Sequence, residues 1–126
     1  MAPSFAIRVN EGSTFLWAGT LVNENGTVLG PSYLVSLTCT LYDQDTVTII
    51  NGRNKQNVLN TANFTLNTNG SGNISWDSPS ADSPIIDDSK ETEVHIALIE
   101  WTYGAGGVYG GKKEIAIRVV NFEKVG

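Results

Sequence analysis

The chain has 126 residues, which is room for one domain spanning residues 1–126 and too little for two. Hydrophobic residues make up 40% and charged residues 17%, the latter well under the usual ~25%. Uncharged Asn, Thr, Ser and Gly fill the difference, which argues against a helical bundle and against charge-driven disorder, while the net charge of −5 (pI near 4.6) argues against electrostatic binding to nucleic acid or an anionic membrane.

In chain order, residues 5–9 read as an edge strand and residues 15–22 as a second strand. The latter is closed by the turn Asn23-Glu24-Asn25-Gly26, and residues 27–29 pair back before Gly30-Pro31 breaks the run. Residues 33–42 alternate almost strictly: Tyr33, Val35, Leu37, Cys39 and Leu41 on one face, Ser36, Thr38 and Thr40 on the other. This predicts a long antiparallel strand with Val35, Leu37, Cys39 and Leu41 inward. A strand over residues 46–50 ends at Asn51-Gly52, and residues 53–59 hold the one expected helical turn. Residues 64–66 and 73–76 flank a Gly- and Asn-rich hairpin turn. Residues 78–90, with Pro79 and Pro84, read as a loop crossing between sheets.

Residues 93–103 are apolar on both faces, with Val94, Ile96 and Leu98 on one and His95, Ala97, Ile99, Trp101 and Tyr103 on the other. That pattern predicts a central strand. Its partner is expected over residues 112–122. Between them residues 104–111, five of them glycine, are expected to form a long, mobile hairpin tip. Turn signals recurring every 8–12 residues predict an all-β fold: an immunoglobulin-like antiparallel sandwich of about seven or eight strands with no disulfide.

Cys39 is the chain's one cysteine, which excludes an internal disulfide and a thiolate metal centre and suits a small core residue. No apolar run approaches the ~18 residues of a membrane-spanning helix. Met1-Ala2-Pro3-Ser4 lacks the basic and apolar regions of a secretory signal, so folding in a reducing cytoplasm, or earlier processing, is expected. His95, the single histidine, lies mid-strand without an accompanying nucleophile motif and reads as a hydrogen-bonded strand residue rather than a catalytic base. Acidic pairs at Asp43/Asp45, Asp77/Asp82 and Asp87/Asp88 follow no calcium-loop spacing and read as solvated loop carboxylates. Four Asn-X-Ser/Thr triplets barely exceed what chance supplies at this composition. No catalytic residue, metal ligand or cofactor is therefore expected. The candidate contact residues are aromatic and glycine-rich: Trp101, Tyr103, Gly106, Gly107, Val108 and Tyr109, at the hairpin tip and just before it.

Two stretches carry a family likeness. One is Leu41-Tyr42-Asp43 with Thr46-Val47-Thr48-Ile49-Ile50-Asn51-Gly52-Arg53 and Gln56-Asn57-Val58-Leu59-Asn60. The other is Glu93-Val94-His95-Ile96-Ala97-Leu98-Ile99-Glu100-Trp101-Thr102-Tyr103, followed by Lys112-Lys113. Over residues 13–122 the chain resembles the small immunoglobulin-like structural proteins encoded among the head and neck genes of tailed bacteriophages. The resemblance implies a non-enzymatic virion component, a capsid decoration or cement protein or a head–tail accessory. It further implies many copies bound to the major capsid protein or to portal, neck or tail proteins, with assembly in the bacterial cytoplasm. The alternative class is a carbohydrate-binding module or adhesin that stacks exposed aromatics on sugar rings.

Overall fold

The computed structural model of the chain describes residues 7–23, 25–27, 29, 34–66, 74–87 and 89–121. The longest alternating stretches become neighbouring central strands, because a strand with an apolar inner face and polar outer face buries only when partnered on both edges. Among the described residues there are eight strands: β1 (Ile7–Asn10), β2 (Phe15–Gly19), β3 (Leu34–Asp43), β4 (Gln56–Asn57), β5 (Phe64–Leu66), β6 (Ile74–Ser78), β7 (Thr92–Tyr103) and β8 (Tyr109–Val120). They form two sheets, β1-β8-β7-β3-β4 and β2-β6-β5. All described pairings are antiparallel except β1 with β8, where Ile7 faces Ile117 and Val9 faces Val119 in parallel. The described residues thus form an all-β, sandwich-like fold without a disulfide, and the chain passes from one sheet to the other between β6 and β7.

The core lies between the sheets. Leu37, Cys39 and Leu41 of β3, Ala97, Ile99 and Trp101 of β7 and Ile115, Ile117 and Val119 of β8 face Trp17, Phe64, Ile74 and Trp76. Trp76 is its largest fully buried side chain, edge-on to Phe15 (centroids 4.8 Å) and stacked on Phe64 (5.0 Å). Its indole Nε1 donates to Asp82 Oδ2 (3.1 Å), and Asp82 in turn holds Arg53 through Nε (2.8 Å) and Nη2 (3.0 Å). Arg53 also donates to Gln56 Oε1, the Ala62 carbonyl and Asn63 Oδ1, so this buried ion pair has its hydrogen bonds filled from several segments.

Four local expectations need correction. Val35 points outward, half exposed, because a bulge between Leu34 and Ser36 shifts the register and buries Leu34 in its place. Residues 46–50 form a turn with one isolated bridge, Tyr42 to Ile49, rather than a strand. The Asp43 carboxylate accepts from Thr46 N and Oγ1, which favours the turn over an extended run. Residues 53–59 hold no helical turn. Arg53 is drawn inward to Asp82, and the chain leaves it as the two-residue strand β4. Finally, the β7–β8 connection is short: β8 begins at Tyr109, with Tyr109, Gly110 and Gly111 paired to Tyr103, Thr102 and Trp101. Of the edge strand expected over residues 5–9, residues 7–9 fall in β1, while Phe5 and Ala6 lie outside the described residues, as does Tyr33.

Candidate docking surface at the β7–β8 turn

Glycine dictates this turn for two separate reasons. Gly104, Gly106 and Gly107 have φ of 83°, 71° and 68°, a region other residues occupy only at a cost, and Gly107 N closes the turn on the Gly104 carbonyl (3.0 Å). Gly111 has no such φ; it is glycine because the Trp101 indole lies across it, 2.5 Å from where a Cβ would stand. Strand pairing right up to the turn leaves only residues 104–108 to connect the strands.

Trp101 is buried and its Nε1 donates to the Val22 carbonyl (3.2 Å). Tyr103 is buried too, and Tyr109 stacks on it with centroids 5.6 Å apart. Neither of the first two presents its face to a partner. Val108 is 75% exposed and Tyr109 54%, and Gly106 is exposed beside them. The bulge adds a residue that sequence reasoning places in the core: Val35, 50% exposed, whose Cγ1 lies 3.4 Å from the Cβ position of Gly107. No pattern in the sequence signals it, since strict alternation continues through position 35.

Val35, Val108 and Tyr109 therefore stand around one turn that is anchored by a stacked tyrosine pair. The stacked Tyr109 ring loses little further freedom on binding, which favours a contact there. Beside them on the outer sheet face runs an open trough of about 380 Å³, lined by Ser36, Thr38, Glu100, Thr102, Lys55 and Lys112 among others. Ser36 and Thr102 share a hydrogen bond of 2.6 Å across β3 and β7, and Lys112 stands 3.8 Å from Glu100. An apolar tip beside a trough that mixes apolar surface with charges of both signs is compatible with a protein contact.

The other sequence candidates go elsewhere. Trp17, Trp76 and Trp101 are all buried, which leaves the sugar-stacking reading without a tryptophan platform. Asp77 is exposed on β6 while Asp82 belongs to the Arg53 pair. Asp45 pairs with Lys90 (2.7 Å), a contact that holds the Lys90 ammonium above its ordinary pKa. Hydrogen bonds from the Ser89 hydroxyl and amide keep the Asp87 carboxyl below its ordinary range; Asp88 lies outside the described residues. Cys39 is fully buried, and burial pushes its thiol up to about 12, which makes it inert. No family model, curated protein or solved structure matches the chain.

Proposed function

We propose that the chain is a non-enzymatic structural protein of a tailed-phage virion, docking on the capsid or the head–tail region in many copies through the β7–β8 turn. The observation that carries the docking surface is the exposure of Val35, Val108 and Tyr109 around a turn braced from within. The virion assignment rests on the resemblance noted above. The strand order supports its immunoglobulin-like part. Reading β2 to β8 as strands B to G, β8-β7-β3-β4 follows the order G-F-C-C′ and β2-β6-β5 the order B-E-D of variable-type domains. The cysteine pair and the strand-C tryptophan of antibody domains have no counterpart here, since β3 carries Cys39 and no tryptophan. In this frame the turn at residues 104–108 is the F–G loop, one of the loops that variable domains use for binding.

The test is quantitative mass spectrometry of purified virions, followed by add-back of Val108→Ser/Tyr109→Ser protein to particles lacking the wild type. Hundreds of copies per particle assign the capsid, and about a dozen or fewer a neck or tail site. Loss of occupancy by the folded double variant, with Leu16→Ser on the other sheet unaffected, supports the turn as the contact. Absence from virions overturns the virion reading, and wild-type occupancy of the double variant overturns the docking surface.

A further inference from the structure

At the far end of β3 and β7 from the turn, three ionisable side chains are sealed inside the protein. Asp43 ends β3, His95 sits opposite it on β7, and Glu93 precedes His95 by two residues on the same face. Asp43 and Glu93 are buried and His95 has 0% exposure. Each carboxylate is oriented by the backbone of a different loop. Glu93 Oε1 accepts from Ile86 N (2.9 Å) and Oε2 from Asp87 N (2.6 Å), while Asp43 Oδ2 accepts from Thr46 N (3.1 Å) and Oγ1 (2.7 Å). What remains of both carboxylates converges on one imidazole nitrogen: His95 Nε2 is 2.9 Å from Glu93 Oε1 and 3.8 Å from Asp43 Oδ1.

As protein alone, this cluster is incompletely matched. The 3.8 Å separation is too long for a hydrogen bond, and His95 Nδ1 is buried with no hydrogen-bond partner among the described residues. With a neutral ring the cluster carries two negative charges on hydrogen-bonded carboxylates, Asp43 being within electrostatic reach of the Lys90 ammonium, and with a protonated ring it carries one. Buried charge left in either condition is costly. A divalent cation on a neutral imidazole and two carboxylates brings the sum to zero. The three ligand atoms lie within 4.8 Å of one another, so modest side-chain adjustments bring them to the roughly 3–4 Å separations set by metal–ligand bonds of about 2.0–2.2 Å. The inward-turned backbone N–H groups supply the outer hydrogen bonds that hold carboxylate ligands in place.

We propose that Asp43 Oδ1, Glu93 Oε1 and His95 Nε2 form a site for a divalent transition-metal cation of the zinc class. An imidazole nitrogen with only two carboxylates suits zinc or cobalt, whereas calcium takes six to eight oxygens. On binding, the ring proton leaves Nε2 for Nδ1, so the imidazole changes tautomer; the Nδ1–H then has no acceptor among the described residues, a cost the metal bonds must outweigh. The cation clips together the turn at residues 43–48, the loop at residues 85–87 and the start of β7. The expectation of no metal rested on sequence spacing, and these three residues, from positions 43 and 93–95, meet only through strand pairing.

The test uses the full chain, purified without metal and titrated with zinc chloride, with calcium chloride in parallel. As the single histidine, His95 gives one set of imidazole NMR signals. The expected result is a one-equivalent change of those signals to the Nδ1–H tautomer and a melting temperature raised by about 5 °C or more at saturating zinc, reversed by EDTA. Calcium should do neither. His95→Gln should abolish the thermal response, while Asp45→Asn and Asp87→Asn, which remove nearby surface carboxylates, should retain it. Unmoved imidazole signals in the wild type overturn the proposal. A zinc response that survives His95→Gln, or is lost in the surface variants, overturns it equally. Should His95→Gln fail to fold, the wild-type imidazole titration decides alone.

Discussion

Replacing Gly111 with alanine probes the packing that brings β8 up to the turn. The added Cβ would stand 2.5 Å from Trp101 Cζ2, 2.6 Å from Cε2 and 3.0 Å from Nε1. Carbon contacts are best at about 3.5–4.0 Å, so the indole must retreat by roughly 1 Å. It is buried, and retreat also strains its hydrogen bond to the Val22 carbonyl. Overpacking of this kind costs about 1–3 kcal/mol, and a lost neutral hydrogen bond adds about 0.5–1.5 kcal/mol. Alanine returns about 0.4–1 kcal/mol by restricting the unfolded chain. A net loss of about 2 kcal/mol is expected, read as a fall of about 1 M in the urea midpoint at unchanged slope. The decisive measurement is the cycle with Trp101→Leu: with the indole gone, the Gly111→Ala cost should vanish. A neutral Gly111→Ala, or an equal cost in both backgrounds, refutes the close approach and returns residues 109–111 to a loose loop.

Other perturbations follow from the core. Leu37→Ala should cost about 2–5 kcal/mol, whereas Val35→Ala and Thr38→Ala, on the outer side, should cost far less in the same urea titration; equal losses at 35 and 37 would place the bulge wrongly. Arg53→Met leaves the Asp82 carboxylate buried without its cation, and a loss of about 3–5 kcal/mol is expected by thermal melting. A loss under about 1 kcal/mol would mean Asp82 finds another partner or water. The Cys39 thiol, raised from 9.0 to about 12 by burial, ionises in the unfolded chain before the folded one. Its contribution to stability is therefore full below pH 9 and is lost as pH rises toward 12, by up to about 1.4 kcal/mol per pH unit. Cys39→Ala should flatten that decline, and an unchanged slope between pH 9 and 11 would refute it.

The sequence was most informative where side-chain alternation is long and one-sided. Residues 37, 39 and 41 face the core as their period of two requires, and the two faces of β7 are as expected. It misled where a tertiary contact outweighs local pattern. The bulge at Leu34/Ser36 leaves the alternation untouched, so Val35 cannot be told from a core residue. Residues 53–59 read as a helical turn because nothing local shows that Arg53 is drawn inward to Asp82, far along the chain. Five glycines suggested a mobile loop, yet Gly110 and Gly111 lie in β8, the latter beneath Trp101. The exposure of Val108 and Tyr109 was legible from their glycine surroundings, whereas the burial of Trp101 and Tyr103 follows from which face of β7 is inward.

The parallel pairing of β1 with β8 bears on the order of assembly. Ile7 and Val9 take their places beside Ile117 and Val119, so their burial waits until nearly the whole described chain has been synthesised. Two pairings can form earlier as hairpins, β5 with β6 and β7 with β8, while β2 with β6 and β3 with β7 close loops of intermediate length. Closing β1 onto that platform is the contact of longest range, and such pairings are slow because loop entropy is spent before the contact forms. Until then one edge of β8 remains open along Ile117–Val120, and an open strand edge is a template for another chain. Synthesis is thus when this protein is most exposed to mispairing, and β1 is the segment that ends that exposure.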